Sequence, residues 1–437
     1  MMKTKWVSIL TLSSIFMLTA CGTGGTDNKT ASGSATNSAS SEGKVVIKYW
    51  TANGGKIEEA KQNLVKKFNE SQSKIEVQQA NQGTYDDLNA KVQAAFAAGN
   101  APAVFDLEIS STGIFSRSGM LADLTPLATR DEAQVNIKDF NPGLMGNAYV
   151  DGKLYGIPFM RSTPIFYKNV TMLKDAGLDP AGPKSWAELE QYGRVLKAKG
   201  KTPLTMAVGV WEYEALVAQS GGKVISDDGK KATFNSPEGV APVEFWKKMS
   251  DEGLIKFTVG KTAGADAEKD WTNQLSAFKI GSTAGVSASI EVAKGNNFEM
   301  MTSFMPANKS YGVPTGGCHL SITSKLSNAE KEATWEFIKF MTTKENTIYQ
   351  HKYVGYLPSR LSALQSEEVQ AYYKEFPQYK VASDQLQYAV LRPSANAYAE
   401  ISKTIIDAMT KAILEKDVKP QEAMNEAAEK ANKLLSK

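Results

Sequence analysis

The strongest constraint on the fold is an alternation of strand-like and helix-like segments early in the chain. Residues 45–50 form a β-branched and aromatic run, and 74–77 and 103–107 are further short strand candidates. Between them lie two stretches with apolar residues at helical spacing, 57–68 and 88–96. Strands that alternate with helices over short links predict a parallel sheet covered by helices. We therefore predict an α/β chain.

Helix starts are well marked in the rest of the chain. Ser185, Ser327 and Thr342 each stand three residues before a glutamate, which is the capping-box pattern. Thr84 is a candidate cap for the helix that carries 88–96. Pro420 stands where a last helix can begin. These signals predict a large mixed chain with many helices.

The N-terminus has the layout of a secretory signal. Lys3 and Lys5 precede an apolar run over 7–18, which is too short to span a bilayer, and small residues then lead to Cys21. The ending resembles a bacterial lipobox, which implies that 1–20 form a lipoprotein signal peptide and that Cys21 is lipidated. The alternative is a buried core helix whose cysteine has no role.

Residues 21–43 are dominated by Gly, Ser, Thr, Ala and Asn, so they cannot bury a core and are expected to form a flexible tether. Acyl chains on Cys21 would hold the rest of the protein at the extracellular face of the bacterial cell membrane. No later segment approaches the length of apolar sequence that spans a bilayer.

Length and charge limit the number of lobes and the kinds of partner that the sequence predicts. A chain of 437 residues is too long for one core, which predicts two lobes. Removing Lys3 and Lys5 with the leader leaves 48 basic against 47 acidic residues, so charge gives no reason to expect a nucleic-acid partner. Cys318 is the one cysteine besides Cys21, so no internal disulfide framework is predicted. Cys318 is interpreted as a small buried thiol, with a nucleophile as the alternative.

Catalytic signatures are scarce. The two histidines, His319 and His351, do not form a zinc-ligand motif, and we predict neither a metal nor a cofactor. The Gly-Lys-Thr at 260–262 ends like a phosphate loop, but Ile255 stands where that loop needs glycine, so we interpret it as a surface turn. Spacing alone leaves a glycosidase-type carboxylate pair open.

Aromatic residues at the ends of predicted elements favour a binding function. They are Trp50, Tyr85, Trp211 and Tyr356. Flat rings cover the apolar faces of polyols and sugars, while Ser, Glu and Arg side chains satisfy hydroxyls or an anion.

An ordered set of motifs carries a family resemblance. The motifs are NQGTYDDLNAKVQAAFAAGNAPAVFDLE at 81–108, YGIPF at 155–159, STPIFY at 162–167, KDAGLDP at 174–180, SW at 185–186, PTGG at 314–317, WEFIKF at 335–340 and GYLP at 355–358. From about Lys44 to the C-terminal helices, the chain resembles the extracellular solute-binding proteins (family 1) of ABC importers, and most closely their glycerol-3-phosphate-binding branch.

The resemblance implies a two-lobe, periplasmic-binding-protein-like (type II) α/β fold with a hinge and a ligand cleft between the lobes. We expect an N-terminal lobe from 44–155 plus 284–335 and a C-terminal lobe from 156–283 plus 336–437. It also implies a non-enzymatic subunit that delivers a small-molecule ligand, a polyol phosphate or a sugar, to ABC permease subunits. The alternatives are a lipid-anchored hydrolase of glycosides or phosphodiesters, and a surface adhesin.

The resemblance also implies which residues line the cleft. They are Tyr85, Glu108, Ser162, Trp211, Ser287, Gly316, Tyr356 and Arg392. Each also has a structural alternative: core packing for Tyr85 and Trp211, a helix cap or lysine pair for Glu108, turns for Ser162, Ser287 and Gly316, a braced loop for Tyr356, and a surface salt bridge for Arg392.

The ligand stays open between the two chemistries. Val208 stands where the glycerol-phosphate branch has a tryptophan, and the sequence around Arg392 resembles the sugar-binding relatives equally well.

Overall fold

The computed structural model describes residues 43–260 and 262–436. The predicted signal peptide, Cys21 and nearly all of the tether therefore lie outside the described residues. Lys44–Lys437 form one compact unit. No helix among the described residues has both the length and the apolarity needed to cross a bilayer.

Among the described residues, the strands form two five-stranded sheets and two short pairs. In chain order they are β1 (Val45–Thr51), β2 (Ile75–Asn81), β3 (Val104–Glu108), β4 (Tyr149–Val150), β5 (Lys153–Leu154), β6 (Ile157–Ser162), β7 (Pro164–Asn169), β8 (Thr202–Ala207), β9 (Ile255–Thr258), β10 (Ser276–Ser282), β11 (Met300–Ser303), β12 (Val313–Pro314), β13 (Gly316–Ile322) and β14 (Ala389–Val390).

Helices cover both sheets. They are α1 (Gly55–Ser71), α2 (Tyr85–Ala97), α3 (Thr112–Arg117), α4 (Thr125–Arg130), α5 (Glu132–Val135), α6 (Pro142–Met145), α7 (Val170–Asp175), α8 (Trp186–Ala198), α9 (Val210–Gln219), α10 (Pro237–Asp251), α11 (Ala263–Thr272), α12 (Val286–Gly295), α13 (Asn328–Met341), α14 (Lys344–Tyr353), α15 (Leu361–Leu364), α16 (Glu367–Glu375), α17 (Lys380–Gln385), α18 (Tyr398–Leu414) and α19 (Pro420–Leu435).

The first sheet has the order β2-β1-β3-β13-β6. β1 pairs in parallel with β2 and β3, as the strand–helix alternation predicted. β13 then pairs antiparallel with both β3 and β6. One face packs on α1 and α13 through residues such as Phe68 and Phe337, whose rings meet edge to face at 5.2 Å. The other face packs on α2 and α3.

The second sheet has the order β11-β7-β10-β8-β9. Its largest core cluster joins β7, β8 and β10 to α8–α10 and the C-terminal helices α18 and α19. A second cluster on β7 includes α11 and α12, where Trp271 packs against Tyr167 and Phe298. Each sheet therefore has its own core, and the two-lobe α/β architecture is confirmed.

The chain first passes between the sheets in a very short segment. β6 ends at Ser162 in the first sheet and β7 begins at Pro164 in the second, so Thr163 alone separates them. The chain returns between β11 and β13. Sheet pairing thus places β6 with the first sheet and β11 with the second, because β6 bonds to β13 and β11 bonds to β7. The lobe limits given above stay a prediction.

Local capping explains where several helices begin. Thr84 and Asp87 form a reciprocal capping box at α2, and Ser327 and Glu330 form another at α13. Ser185 caps α8 through the backbone N–H of Glu188. Each such cap contributes about 1 kcal/mol. At α14 the cap is Thr343 rather than the expected Thr342, because the hydroxyl of Thr343 accepts the backbone N–H of Asn346.

Candidate ligand cleft

Three predicted site residues meet where β13 begins. Gly316 pairs with Ser162 across the β13–β6 ladder. A Cβ atom placed on Gly316 would lie 2.6 Å from Cζ2 of Trp211 and 3.1 Å from Oγ of Ser162. Trp211, in the first turn of α9, also donates its indole N–H to the carbonyl oxygen of Thr315 at 3.3 Å. The ring of Trp211 therefore packs directly on glycine, and a larger residue at position 316 would displace it. We call 315–317, Ser162 and Trp211 the cleft floor.

Gly317, which is part of the cleft floor, allows β13 and β6 to approach each other closely. It has a φ of +86°, and a Cβ there would lie 1.8 Å from the carbonyl oxygen of Met160. The β13–β6 register shifts between Gly317 and His319, which marks a bulge. Both the left-handed backbone and the lack of space require glycine.

Glu108 and Arg392 form an ion pair in the same region. Arg392 Nη1 donates to Glu108 Oε1 at 2.6 Å, and its Nε and Nη2 donate to the two carboxylate oxygens of Glu214 at 2.8 and 3.1 Å. Glu108 ends β3 in the first sheet, while Glu214 lies on α9, which packs with the second sheet. Arg392 thus links the two lobes.

The charge of Arg392 is fully compensated by these partners. Burial lowers the pKa of the guanidinium, but Glu214 and Glu108 more than offset that effect and raise it. The hydroxyl of Tyr398 also donates to Glu214. Two carboxylates around one guanidinium leave a net charge of about −1 by formal count. A phosphate group at Arg392 would therefore have to compete with two anions already in place.

Tyr85 and Tyr356 lie close to each other and to Cys318. The hydroxyl of Tyr85 is buried and makes no well-aligned hydrogen bond to another described residue. Burial raises the pKa of Tyr85, with smaller contributions from the neighbouring Cys318 and Tyr356. Burial also raises the pKa of the Cys318 thiol to about 12, so the thiol stays protonated and is not a nucleophile. A buried hydroxyl without a partner is suited to bind a ligand oxygen.

A fully buried polar network centres on Lys61 and Asp106 of the first lobe. Lys61 Nζ lies 2.6 Å from Oδ2 of Asp106, and both side chains are completely buried. Asp106 also accepts the hydroxyl of Tyr49 at 2.5 Å and the backbone N–H of Ala52 at 3.0 Å. Because Tyr49 lies in β1 and Ala52 directly follows it, while Lys61 lies in α1 and Asp106 in β3, this network fixes β1, α1 and β3 relative to one another.

His351 holds the segment that carries Tyr356. Its Nδ1 lies 2.7 Å from the carbonyl oxygen of Tyr356, so Nδ1 carries the proton and donates. Burial lowers the pKa of His351 to about 4, which keeps the ring neutral at physiological pH. The ring edges of Tyr372, Tyr373 and Tyr379 surround it.

Ser287 lies in the first turn of α12, which packs against β7 of the second sheet. Its backbone N–H donates to the carbonyl oxygen of Val354 at 3.2 Å, two residues before Tyr356. Its hydroxyl accepts from Lys56 Nζ at 3.3 Å, and Lys56 also binds Glu291. Ser287 is thus connected to the site through the 354–356 segment rather than by direct contact with the floor.

Some of the purely structural roles considered for the predicted site residues hold in the structure, and others do not. Ser162 lies in a strand and Ser287 in a helix, so neither is a turn residue. Glu108 does cap a short 3-10 turn through the N–H of Ser110, but its ion-pair partner is an arginine. The side chain of Arg392 is only 10% exposed, so its salt bridge is not a surface pair. The role of all eight residues in ligand binding stays a prediction.

Sequence reasoning missed three charged residues at this site. Glu214 follows Trp211 by three positions on one helix, so helical spacing was a usable signal. Arg161 lies between two of the quoted motifs, 155–159 and 162–167, and nothing in the pattern shows that it is buried. Lys56 had no sequence signal.

A cavity of about 890 Å³ lies beside α9 and the 390–397 loop. Its wall includes Arg392 and its partner Glu214, but none of the other seven predicted site residues. It therefore adjoins the Arg392 ion pair and does not coincide with the cleft floor. Among the described residues, no group of three or more His, Cys, Asp or Glu side chains is arranged to hold a metal ion.

The sequence of this chain matches the model of a known protein family. Residues 63–378 match the family model described as bacterial extracellular solute-binding protein. The chain belongs to this family of solute-binding proteins.

Within that family, the chain is similar to proteins named for sn-glycerol-3-phosphate binding. The sn-glycerol-3-phosphate-binding periplasmic protein UgpB of Pectobacterium atrosepticum is 25% identical over 421 residues, which cover 91% of this chain and 93% of that protein. UgpB of Salmonella paratyphi A is 26% identical over 412 residues, or 89% and 92% of the two chains.

Solved structures of the same fold include complexes with acarbose and with glycerophosphocholine. The GacH receptor of Streptomyces glaucescens, studied unliganded and with acarbose, aligns with a TM-score of 0.80 at 20% identity, covering 90% of this chain and 99% of that one. UgpB of Mycobacterium tuberculosis in complex with glycerophosphocholine also aligns with a TM-score of 0.80, at 24% identity, covering 90% and 98%.

Proposed function

We propose that this protein is the lipid-anchored substrate-binding component of an ABC importer, and that it captures a polyol phosphate such as sn-glycerol 3-phosphate, or a sugar, for delivery to the permease. The observation that carries the proposal is the cleft floor, where Trp211 on α9 of one lobe packs on Gly316 beside Ser162 of the other. The names of the UgpB relatives support the glycerol-phosphate class of ligand.

The geometry suits binding better than hydrolysis. Glu108 and Glu214 share one guanidinium, so neither is a free carboxylate of the kind that a glycosidase uses as acid or nucleophile. Cys318 is a buried, protonated thiol. The family match also favours solute binding over the hydrolase alternative.

Capture would use closure of the two lobes about the short crossings between the sheets. A ligand shifts a two-state equilibrium only by its difference in affinity for the two states. Groups from both lobes must therefore contact it together in the closed form. The Trp211 ring would cover an apolar face of the ligand, and Ser162 and Tyr85 would meet its oxygens.

Removing the Trp211 ring should weaken ligand binding without unfolding the protein. We expect Trp211→Ala to raise the dissociation constant about tenfold to hundredfold, the scale of a buried aromatic contact in a binding site. Calorimetry and thermal shift with sn-glycerol 3-phosphate, glycerophosphocholine, maltose and ribitol would measure this, since ligand at 100 times Kd adds about 2.7 kcal/mol of stability.

Tyr149 provides a matched aromatic control. It is 42% exposed and lies outside the cleft, so Tyr149→Ala should bind as the wild type does. Equal binding by wild type and Trp211→Ala would contradict the proposed site, and failure of the wild type to bind any member of the panel would contradict the proposed ligand class.

Lipid anchoring depends on Cys21. We expect Cys21→Ala to move the protein from the membrane fraction to the soluble secreted fraction, or to leave an unprocessed precursor, because acyl chains supply the membrane affinity. Fractionation with fatty-acid labelling measures the change. Labelling that persists in the variant would refute the lipobox.

A further inference from the structure

We propose that Arg161 is a specificity-determining residue of the cleft: it supplies the positive charge that favours an anionic group on the ligand. This inference rests on the proposed function and names the feature of the chain that would select the phosphorylated class. It assigns to Arg161 a role that the ion-paired Arg392 cannot fill.

Arg161 is completely buried and is held by neutral acceptors. Its Nε donates to the carbonyl oxygen of Gly316 at 2.9 Å, its Nη2 donates to Oγ1 of Thr315 at 2.8 Å, and its Nη1 donates to the carbonyl oxygen of Leu144. Among the residues that the structure describes, no carboxylate is within ion-pair distance of this guanidinium. A buried charge without a counter-ion is unusual because desolvation makes it costly.

Other buried arginines in the described part of the chain do have counter-ions. Arg360 lies 3.2 Å from Asp139, and Arg392 is shared by Glu108 and Glu214. Burial lowers the pKa of Arg161 to about 10, against the effect of nearby Cys318, Glu108 and Tyr85, so the group stays charged at neutral pH. Arg161 thus carries a permanent charge with no carboxylate of the described residues in direct contact.

The position of Arg161 connects its charge to the ligand. It hydrogen-bonds the two floor residues Thr315 and Gly316, and the carbonyl of Thr315 in turn accepts the indole N–H of Trp211. In a low-dielectric site a fixed charge acts over several ångströms. An anionic group bound on the floor would be attracted by this charge across Thr315 and Gly316, whereas an uncharged polyol would gain nothing from it.

The test compares an anionic and an uncharged ligand within each variant. Dissociation constants for sn-glycerol 3-phosphate and for ribitol give a preference ratio, which is insensitive to a loss of folded protein. We expect Arg161→Gln to lower the ratio about tenfold or more, the scale of one charge interaction at an effective dielectric constant of about 20. Arg161→Lys keeps the charge and should keep the ratio within about threefold of wild type.

Arg360→Gln is the matched control for loss of a buried arginine. Its partners are Asp139 and the carbonyl groups of Thr342 and Val135, and none of the floor residues contacts it. It should reduce stability while leaving the preference ratio unchanged. A ratio that falls equally in Arg360→Gln and Arg161→Gln would overturn the inference.

A second pair of variants keeps the guanidinium in place. Thr315→Asp puts a carboxylate where Arg161 now donates to a hydroxyl and so provides the missing counter-ion. Thr315→Asn has nearly the same shape and no charge. We expect the aspartate variant to lose about tenfold in the ratio relative to the asparagine variant. Equal ratios in the two would overturn the inference even if Arg161→Gln does not fold.

Failures of the two proposals can be told apart. If the wild type binds sn-glycerol 3-phosphate and Arg161→Gln has an unchanged ratio, the role of Arg161 is wrong and solute binding stands. If the wild type prefers the uncharged polyol, the inference fails together with the phosphate ligand. If the wild type binds no member of the panel, which includes these two ligands, the proposed ligand classes fail as well.

Discussion

Replacing Asp106 with alanine is expected to lower the free energy of unfolding by about 3–5 kcal/mol. The change leaves the ammonium of Lys61, which is completely buried, without its counter-ion. It also removes the acceptor for the hydroxyl of Tyr49 and for the backbone N–H of Ala52. Removing one partner of a buried pair costs far more than the pair itself contributes, because the remaining charge cannot reach water.

Urea unfolding at constant m-value measures this loss. The surface pair Lys66–Glu70 is the control, since its atoms are 3.9 Å apart and both side chains are largely exposed. Lys66→Met should leave the midpoint in place. The double variant Lys61→Met with Asp106→Leu should recover most of the stability, because two apolar groups can replace a buried pair. An Asp106→Ala midpoint equal to that of Lys66→Met would contradict the expected cost.

Replacing Gly317 with alanine is expected to cost about 2–5 kcal/mol. About 1–2 kcal/mol comes from a left-handed backbone that L-residues avoid. About 1–3 kcal/mol more comes from forcing β6 and β13 apart, since the new Cβ would lie 1.8 Å from the carbonyl oxygen of Met160. The strands that would separate are those that carry Ser162 and Gly316, so ligand binding should weaken as well.

Gly99→Ala separates the two contributions. Gly99 has a φ of +75°, but a Cβ there would meet nothing within 4 Å. Its replacement should therefore cost only about 1 kcal/mol. If thermal and urea unfolding place the two alanine variants at the same stability, the close approach at Gly317 does not contribute.

The sequence predicted the elements of the first lobe because their signals are local. The apolar face of α1, the box at Thr84 and the parallel pairing of β1 with β2 and β3 all follow from spacing and caps within neighbouring segments. The cap at α14 was wrong by one residue, since Thr342 and Thr343 carry the same hydroxyl and only the backbone geometry distinguishes them.

How the charges of the site pair with one another could not be predicted, because the pairing depends on residues far apart in sequence. Glu108, Glu214 and Arg392 meet through strands and helices from both lobes. Likewise, the letter at position 161 gives no sign that its guanidinium is buried beside Gly316. Motif resemblance selected candidate residues, but it could not specify which charges are already neutralised.

The place of β13 in the first sheet has a consequence for biogenesis. β13 lies between β3 and β6, although it is the last of the three to be synthesised. Until it emerges, β3 and β6 each have an unpaired edge, and such edges invite pairing with other chains. Because long-range pairing is slow, completion of this sheet must wait for most of the polypeptide to be exported. A nascent chain interrupted before residue 316 would hence be a substrate for chaperones and proteases rather than a partly active binding protein.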